Sequence, residues 1–331
     1  VLFRFAKNLG GALLGFLLVL VLLPKVPGPL EQRADPLIAE RADCSVLFIG
    51  PSYVAAQFEP PAFNREAERI GIDLRACKFG AQALRGYELR MWLDRLLSHD
   101  WPRLRLVVID ITLGDEVGFN SENWLKPRVI EWHTLETLPW LLRYYEERER
   151  LPLPKKVPEL WAHAKHVGAH YLRLGEGVEG LGFVRIVDGL RPKPSARPQR
   201  ASPISDGRNR ERLRGNAYRR HLESLRAKRA KPRGGRSDWP LELRELVRAH
   251  GREAYFLIAP VLYNPRTPKR ALGGEDPLVV LDFDQPDRFP ELYQEDVRGN
   301  TSHLRGEGPD LYSAALAREI KRVERRQRRL R

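Results

Sequence analysis

The sequence predicts an α/β fold, a three-layer α/β/α sandwich around a mostly parallel sheet, and three observations predict it. Short apolar runs recur and close in turn residues: Val46-Leu-Phe-Ile-Gly50, Ile72-Asp-Leu-Arg-Ala-Cys-Lys-Phe-Gly80 and Leu104-Arg-Leu-Val-Val-Ile-Asp-Ile-Thr112. Runs of this length suit strands buried on both faces of a parallel sheet. Helical patterns separate them, so the first third reads β-α-β-α-β. After a long interruption the pattern resumes with Glu253-Ala-Tyr-Phe-Leu-Ile-Ala-Pro260 and Pro277-Leu-Val-Val-Leu-Asp-Phe283.

Taken in order, residues 3–23 carry a targeting signal. Arg4 and Lys7 precede a charge-free run from Leu9 to Leu23. That run is shorter than the ~20 residues a spanning helix usually needs, but residues 2–6 and a snorkelling Lys7 extend it. No small-x-small cleavage site is visible before Pro24, so an uncleaved transmembrane anchor is expected rather than a removed signal. The flanking charges place the N-terminus inside and the body on the outer side of a bacterial cytoplasmic membrane. Residues 24–42 read as a linker.

The α/β domain is expected to comprise residues 43–130 and 251–322, with helices at 61–70, 81–97 and 309–320. Residues 131–250 read as a helical insertion, with helices at 135–150, 158–172, 216–231 and 239–250. Inside it, a Pro-, Arg- and Ser-rich stretch near 190–215 reads as a mobile basic loop. Residues 323–331 form a basic tail, expected to fray.

The chain has 331 residues, and 57 Lys+Arg against 43 Asp+Glu give +14. Such an excess favours anionic partners. Arginine is spread along the chain without interleaved aromatics, so no nucleic-acid partner is expected. There are two cysteines, Cys44 and Cys77. With Cys44 at the start of one strand and Cys77 near the end of its neighbour, they would lie more than ~10 Å apart, and no disulfide is expected.

Several residues carry chemistry. Ser52 follows the first strand's glycine, where ligands collect in open α/β sheets. Asp296-Val-Arg-Gly-Asn-Thr-Ser-His-Leu304 precedes the last helix, and His303 is the only histidine beyond residue 250. His163, His166 and His170 stand at i, i+3 and i+7 on a predicted helix, a spacing that permits shared metal ligation. Only Glu159 offers a carboxylate at helical spacing, so a solvated or partly buried face is expected there, with no metal and no cofactor. Glu131-Trp-His133 either lines a cleft or packs Trp132 into a core.

The blocks Gly50-Pro-Ser52, Gly80 and Asn300-Thr-Ser-His303-Leu resemble, in order and placement, the SGNH (GDSL-like) hydrolase superfamily. The closer resemblance is to its membrane-anchored envelope branch, which includes the teichoic-acid D-alanyl transfer protein and the alginate O-acetyltransferases. The match covers residues 44–115 and 253–320. It implies Ser52 as nucleophile, His303 as general base, and the backbone N–H groups of Ser52 and Gly80 as oxyanion-hole donors. Asn300 stands in the place of the acid that orients the histidine, with Asp296 as a substitute four residues earlier. Pro51 replaces an aspartate usual before the serine. No oxyanion-hole asparagine is recognisable after the third strand, where the chain reads Asp110-Ile-Thr-Leu-Gly-Asp115, and Asn120 and Asn123 are wrongly spaced. The resemblance implies an esterase or O-acyltransferase acting on envelope or exported polysaccharide, with an acylated polysaccharide or acyl donor as partner. The alternative is a catalytically inactive domain that binds glycan or an envelope-assembly protein.

Overall fold

A computed structural model of the chain describes residues 30–84, 86–113, 127–147, 153–171, 215–229, 239–262, 278–300 and 302–330. The expected anchor at 3–23, most of the loop near 190–215, and Asn120 and Asn123 lie outside the described residues. Among the described residues no helix is long and apolar enough to cross a membrane.

The chain divides into two compact units, residues 33–117 with 201–331, and residues 1–32 with 118–200. The first unit is α/β. It contains β1 (Val46–Gly50), α2 (Ser52–Gln57), α3 (Pro60–Arg69), β2 (Ala76–Gly80), α4 (Gly86–Leu97) and β3 (Leu106–Asp110). It continues with α8 (Gly215–Arg229), α9 (Trp239–Ala249), β4 (Glu253–Ile258), β5 (Val279–Asp282) and α10 (Gly308–Leu330). A helix α1 (Glu31–Ala39) occupies part of the stretch expected to be linker.

All five strands are parallel, in the order β2-β1-β3-β4-β5. Alternation of side chains across the pleat divides the sheet's two faces. Val46, Phe48, Leu106, Val108, Tyr255 and Leu257 share a core with Phe63 and Ala67 of α3 and Leu316 and Ile320 of α10. On the other face Phe79 stacks against Trp92 of α4, ring centroids 5.0 Å apart, and α9 packs with α4 and β4. The three expected layers are therefore present.

The helical unit is smaller than the expected insertion. It holds α5 (Pro127–Glu131), α6 (Leu138–Glu147) and α7 (Leu153–Tyr171). Helices α8 and α9 belong instead to the α/β unit. Tyr218 of α8 lies in its core and donates its hydroxyl to the Tyr293 carbonyl, and α9 leads the chain into β4. The basic tail does not fray at 323, because α10 continues to Leu330 and Gln327 accepts a 3.0 Å hydrogen bond from the Tyr255 hydroxyl.

The cysteine expectation is overturned: Cys44 and Cys77 form a disulfide, with Cα atoms 5.8 Å apart. Strand β2 begins at Ala76, later than the apolar run suggested, and its register pairs Ala76 with Val46 and Cys77 with Leu47. Both cysteines thus lie at the amino edge of the sheet rather than at opposite ends.

Candidate active site

The strand order reverses direction at β1, with β2 on one side and β3 on the other. The carboxyl edge there is where doubly wound sheets bind ligands. Gly50 ends β1, and a Cβ at that position would lie 2.5 Å from Cβ of Asp110, so the two strand ends approach as only glycine permits. Pro51, extended at φ −72° and ψ −154°, is the N-cap of α2, and Ser52 opens that helix. The Ser52 N–H is one of the first-turn groups with no intrahelical acceptor.

The loop before α10 returns to this edge. His303 Nε2 lies 2.9 Å from Ser52 Oγ, across 251 residues of chain. The pair expected from sequence is assembled in hydrogen-bonding geometry. His303 also stacks on Tyr53, ring centroids 5.7 Å apart. Burial, and then the positive charge of Arg298, hold the imidazole below its ordinary pKa. A neutral ring accepts the Ser52 hydroxyl proton at Nε2 and carries its own proton on Nδ1.

The expected orienting groups are elsewhere. Asn300 Oδ1 accepts the backbone N–H groups of Ser302 and His303, each at 2.7 Å. It is an Asx turn that shapes the loop and does not bond the ring. Asp296 Oδ1 accepts the N–H of Val297 at 3.0 Å. His303 Nδ1 is buried and has no hydrogen-bond partner among the described residues. Among the described residues the site is a serine–histidine dyad, without the orienting contact expected of Asn300 or Asp296. Gly80 has a packing role of its own, because a Cβ there would lie 2.4 Å from the Ala55 nitrogen of α2.

Two residues that sequence reasoning missed hold the dyad together. Gln57, fully buried at the end of α2, donates to the Ser302 carbonyl at 3.0 Å and accepts from the Leu304 N–H at 3.3 Å. One amide thus grips the backbone on both sides of His303 from the helix that carries Ser52. Arg298, also buried, donates to the carbonyls of Pro260 at 2.9 Å and Asn300 at 3.4 Å. It ties the segment after β4 to the histidine loop. A polar residue in the otherwise apolar Tyr53-Val-Ala-Ala-Gln57 stretch was the only available signal for Gln57.

Asp110, at the carboxyl end of β3, is buried and its carboxyl is pushed up to about 7 by desolvation, against the lowering effect of its bonds to Thr112. Its Oδ1 accepts the Thr112 N–H at 2.8 Å, and its Oδ2 has no partner among the described residues. The Tyr312 hydroxyl, equally buried, is raised by burial and then by Asp110, Tyr293 and Tyr53. A desolvated carboxyl, which acts on the Tyr312 hydroxyl, therefore lies beside the turn that carries Ser52.

In the helical unit, His133 and His163 are buried and hydrogen-bonded to each other, Nε2 to Nδ1 at 2.9 Å. His133 Nδ1 faces the Val129 carbonyl at 2.5 Å, which only accepts, so that nitrogen bears the proton. His133 Nε2 then accepts from His163 Nδ1–H, and His163 Nε2 accepts from the Tyr145 hydroxyl at 3.1 Å. His166 Nδ1 donates to the Ala162 carbonyl at 2.7 Å, and His170 Nδ1 lies 3.2 Å from the Ile130 carbonyl. His133 and His163 are thus joined by a hydrogen bond, His166 and His170 face backbone carbonyls, and no group of residues arranged to hold a metal ion occurs among the described residues. Trp132 is buried and stacks on His133, ring centroids 3.7 Å apart.

A parallel α/β sheet with a half-buried Ser–His pair at its switch point is the class that fold and site define. Comparison of the chain with protein-family models, with curated proteins and with solved structures finds no match.

Proposed function

We propose that this protein is a serine esterase or O-acyltransferase of the SGNH-like kind, membrane-anchored through residues 3–23 and acting on acylated envelope or exported polysaccharide. The observation that carries the reading is the 2.9 Å approach of His303 Nε2 to Ser52 Oγ. His303 takes the Ser52 proton as Oγ attacks the ester carbonyl. It returns that proton to the departing alcohol, leaving an acyl-serine. Water or a sugar hydroxyl, deprotonated by the same nitrogen, then attacks the acyl carbon and releases Ser52. The N–H groups of Ser52 and Gly80 are the proposed oxyanion donors. The Cys44–Cys77 disulfide supports an oxidising, extracytoplasmic location.

Labelling with a serine-reactive fluorophosphonate tests this. Wild type should label, and Ser52→Ala should lose the signal entirely; equal labelling of both would sink the proposal. Because His303 is held below its ordinary pKa, the base form persists as pH falls. The labelling rate should therefore stay level through neutral pH and decline only at acid values below an ordinary histidine's range.

A second reading has its own observation: among the described residues His303 Nδ1 has no hydrogen-bond partner. Without an acid on that nitrogen the imidazolium is unsupported, which suits a non-catalytic domain binding glycan or an envelope-assembly partner. It predicts that Ser52→Ala leaves cellular function intact.

A further inference from the structure

Helix α7 carries its polar and apolar faces in reverse. The apolar stripe of a surface helix typically faces the core. Here the buried positions include His163 and His166 beside Val167. The two histidines are taken up by His133, Tyr145 and the Ala162 carbonyl. The outward positions are Val157, Trp161, Ala164, Gly168 and Tyr171, with Lys165 beside them. The five follow i, i+4, i+7, i+11 and i+14, one face of a helix, about 21 Å long.

The stripe continues onto the neighbouring helix. The Leu135 N–H donates to the Tyr171 hydroxyl at 3.3 Å, and Tyr145 of α6 meets His163 at 3.1 Å. Residue numbers fall along α7 as they rise along α6, so the two run antiparallel. Leu135 and Leu142 form a second row beside the first. Leu135, Leu142, Val157, Trp161 and Tyr171 are each more than half exposed. A Cβ added at Gly168 would meet nothing within 4 Å, so the space above the stripe is open there. Of the charged residues beside these rows, Glu136 and Lys165 are exposed and opposite in sign. The face therefore offers apolar surface and little net charge.

We infer that this face rests on the lipid bilayer, its aromatic and aliphatic side chains seated where headgroups meet acyl chains. Exposed apolar patches mark contact with a partner or a membrane, and two observations select the membrane. The compact unit that carries the face also includes residues 1–32, which contain the charge-free run from Leu9 to Leu23. Only residues 24–30 separate that run from α1, and fully extended they span about 25 Å. A run held in the bilayer keeps this unit at the membrane surface, where modest apolar contacts act at high effective concentration. Trp161 and Tyr171 are also the residue types that gather at such a boundary, each an apolar ring with a polar tip. The inference rests on the reading of residues 3–23 as an anchor and is independent of the Ser52 chemistry. Docking fixes the orientation of the unit, which a short tether alone leaves free to swing.

The test uses the full chain reconstituted in zwitterionic lipid vesicles, with an environment-sensitive fluorophore on single introduced cysteines. The two native cysteines are joined in the disulfide, so labelling is confined to the introduced thiol. Probes at Trp161→Cys and Leu142→Cys should shift to the blue and lose emission to nitroxides on the lipid. A nitroxide near the headgroups should quench more than one at the chain ends, because an interfacial face enters only ~5–10 Å. A probe at Asp73→Cys, a highly exposed position of the α/β unit, should stay unquenched. High salt should change none of this, since apolar contacts carry the docking. As a second variant, Leu142→Glu/Trp161→Glu changes exposed positions only, and should return a probe at Val157→Cys to water. Unquenched, water-like emission at both 161 and 142 overturns the inference. So does a blue shift without nitroxide quenching that grows with protein density, the sign of a second copy on this face. A probe at Val19→Cys reads the anchor separately. Quenching at Val19 with none at 161 and 142 removes the docking face and leaves the anchor, whereas the anchor reading fails by a different result, no quenching at Val19.

Discussion

In the α/β unit, several buried polar side chains are fixed by a backbone group or an opposite charge. Gln57 grips the loop backbone around His303, Thr112 accepts the Ala259 N–H at 2.7 Å, and Glu66 and Glu319 are bracketed by arginines. In the helical unit three buried polar groups are joined to one another, Tyr145 to His163 to His133, and one end of that relay reaches the backbone. The exposed large apolar side chains recorded among the described residues, Leu135, Leu142, Val157, Trp161 and Tyr171, also all lie in the helical unit. The difference teaches that backbone-fixed polar groups hold their geometry across pH, whereas a relay of neutral imidazoles survives only while it stays unprotonated.

Acidification should break the comparison most visibly. Burial depresses His133 to about 2 and His163 to about 3. The unfolded chain takes up protons below about 6.5 while the folded relay does not, so their stability contribution is present above that pH and is lost as pH falls. At pH 5 the loss should be about 2 kcal/mol for each histidine. Hydrogen exchange between pH 7 and 5 should show α6 and α7 opening before the sheet. A sheet that opens first would contradict the comparison.

Next in size is the disulfide. Reduction, or Cys44→Ser with Cys77→Ser, should cost the α/β unit about 3–4 kcal/mol by the loop-closure estimate for a separation of 33 residues. Urea unfolding in the presence and absence of reductant measures it, with no change expected in the helical unit.

Gln57→Leu keeps the volume but leaves the Ser302 carbonyl and Leu304 N–H unanswered, a loss of about 2–3 kcal/mol. It should also depress phosphonate labelling of Ser52, and Gln57→Glu should recover only the bond from the Leu304 N–H. Labelling unchanged in Gln57→Leu would show that the clamp serves packing alone.

The last effect has the opposite sign. Asp110, raised to about 7, favours the folded state only while protonated. That contribution is full below the unfolded value near 3.9 and is lost as pH rises through 7. Asp110→Asn removes the titration and keeps an oxygen for the Thr112 N–H. It should stabilise the unit by about 4 kcal/mol at pH 8 and change little at pH 4, as thermal unfolding at the two pH values would show.

Much of this architecture was legible because its signals are local. The runs ending at Gly50, Gly80 and Thr112 each alternate two apolar faces, and only a sheet covered on both sides satisfies such runs. Ser52 and His303 were legible because each lies among turn residues beside the strand or helix that presents it. The Asn300 assignment failed for a different reason. A short amide next to its own loop nitrogens bonds them first, and sequence spacing does not reveal which bond forms. Helices α8 and α9 were misassigned because their periodicity says that one face is buried, not against what.

The sequence by itself determined the strands, their parallel class, the serine and histidine that meet at the sheet's edge, and the cationic excess of the final helix. Those follow from composition and periodicity over a few residues. Tertiary structure alone decided the start of β2, and with it the disulfide. It also decided the Gln57 and Arg298 contacts to the histidine loop, the uncapped Nδ1 of His303, and the apolar face that α6 and α7 turn outward. Each of these depends on register or on contacts between residues far apart in the chain, and no local pattern encodes that distance.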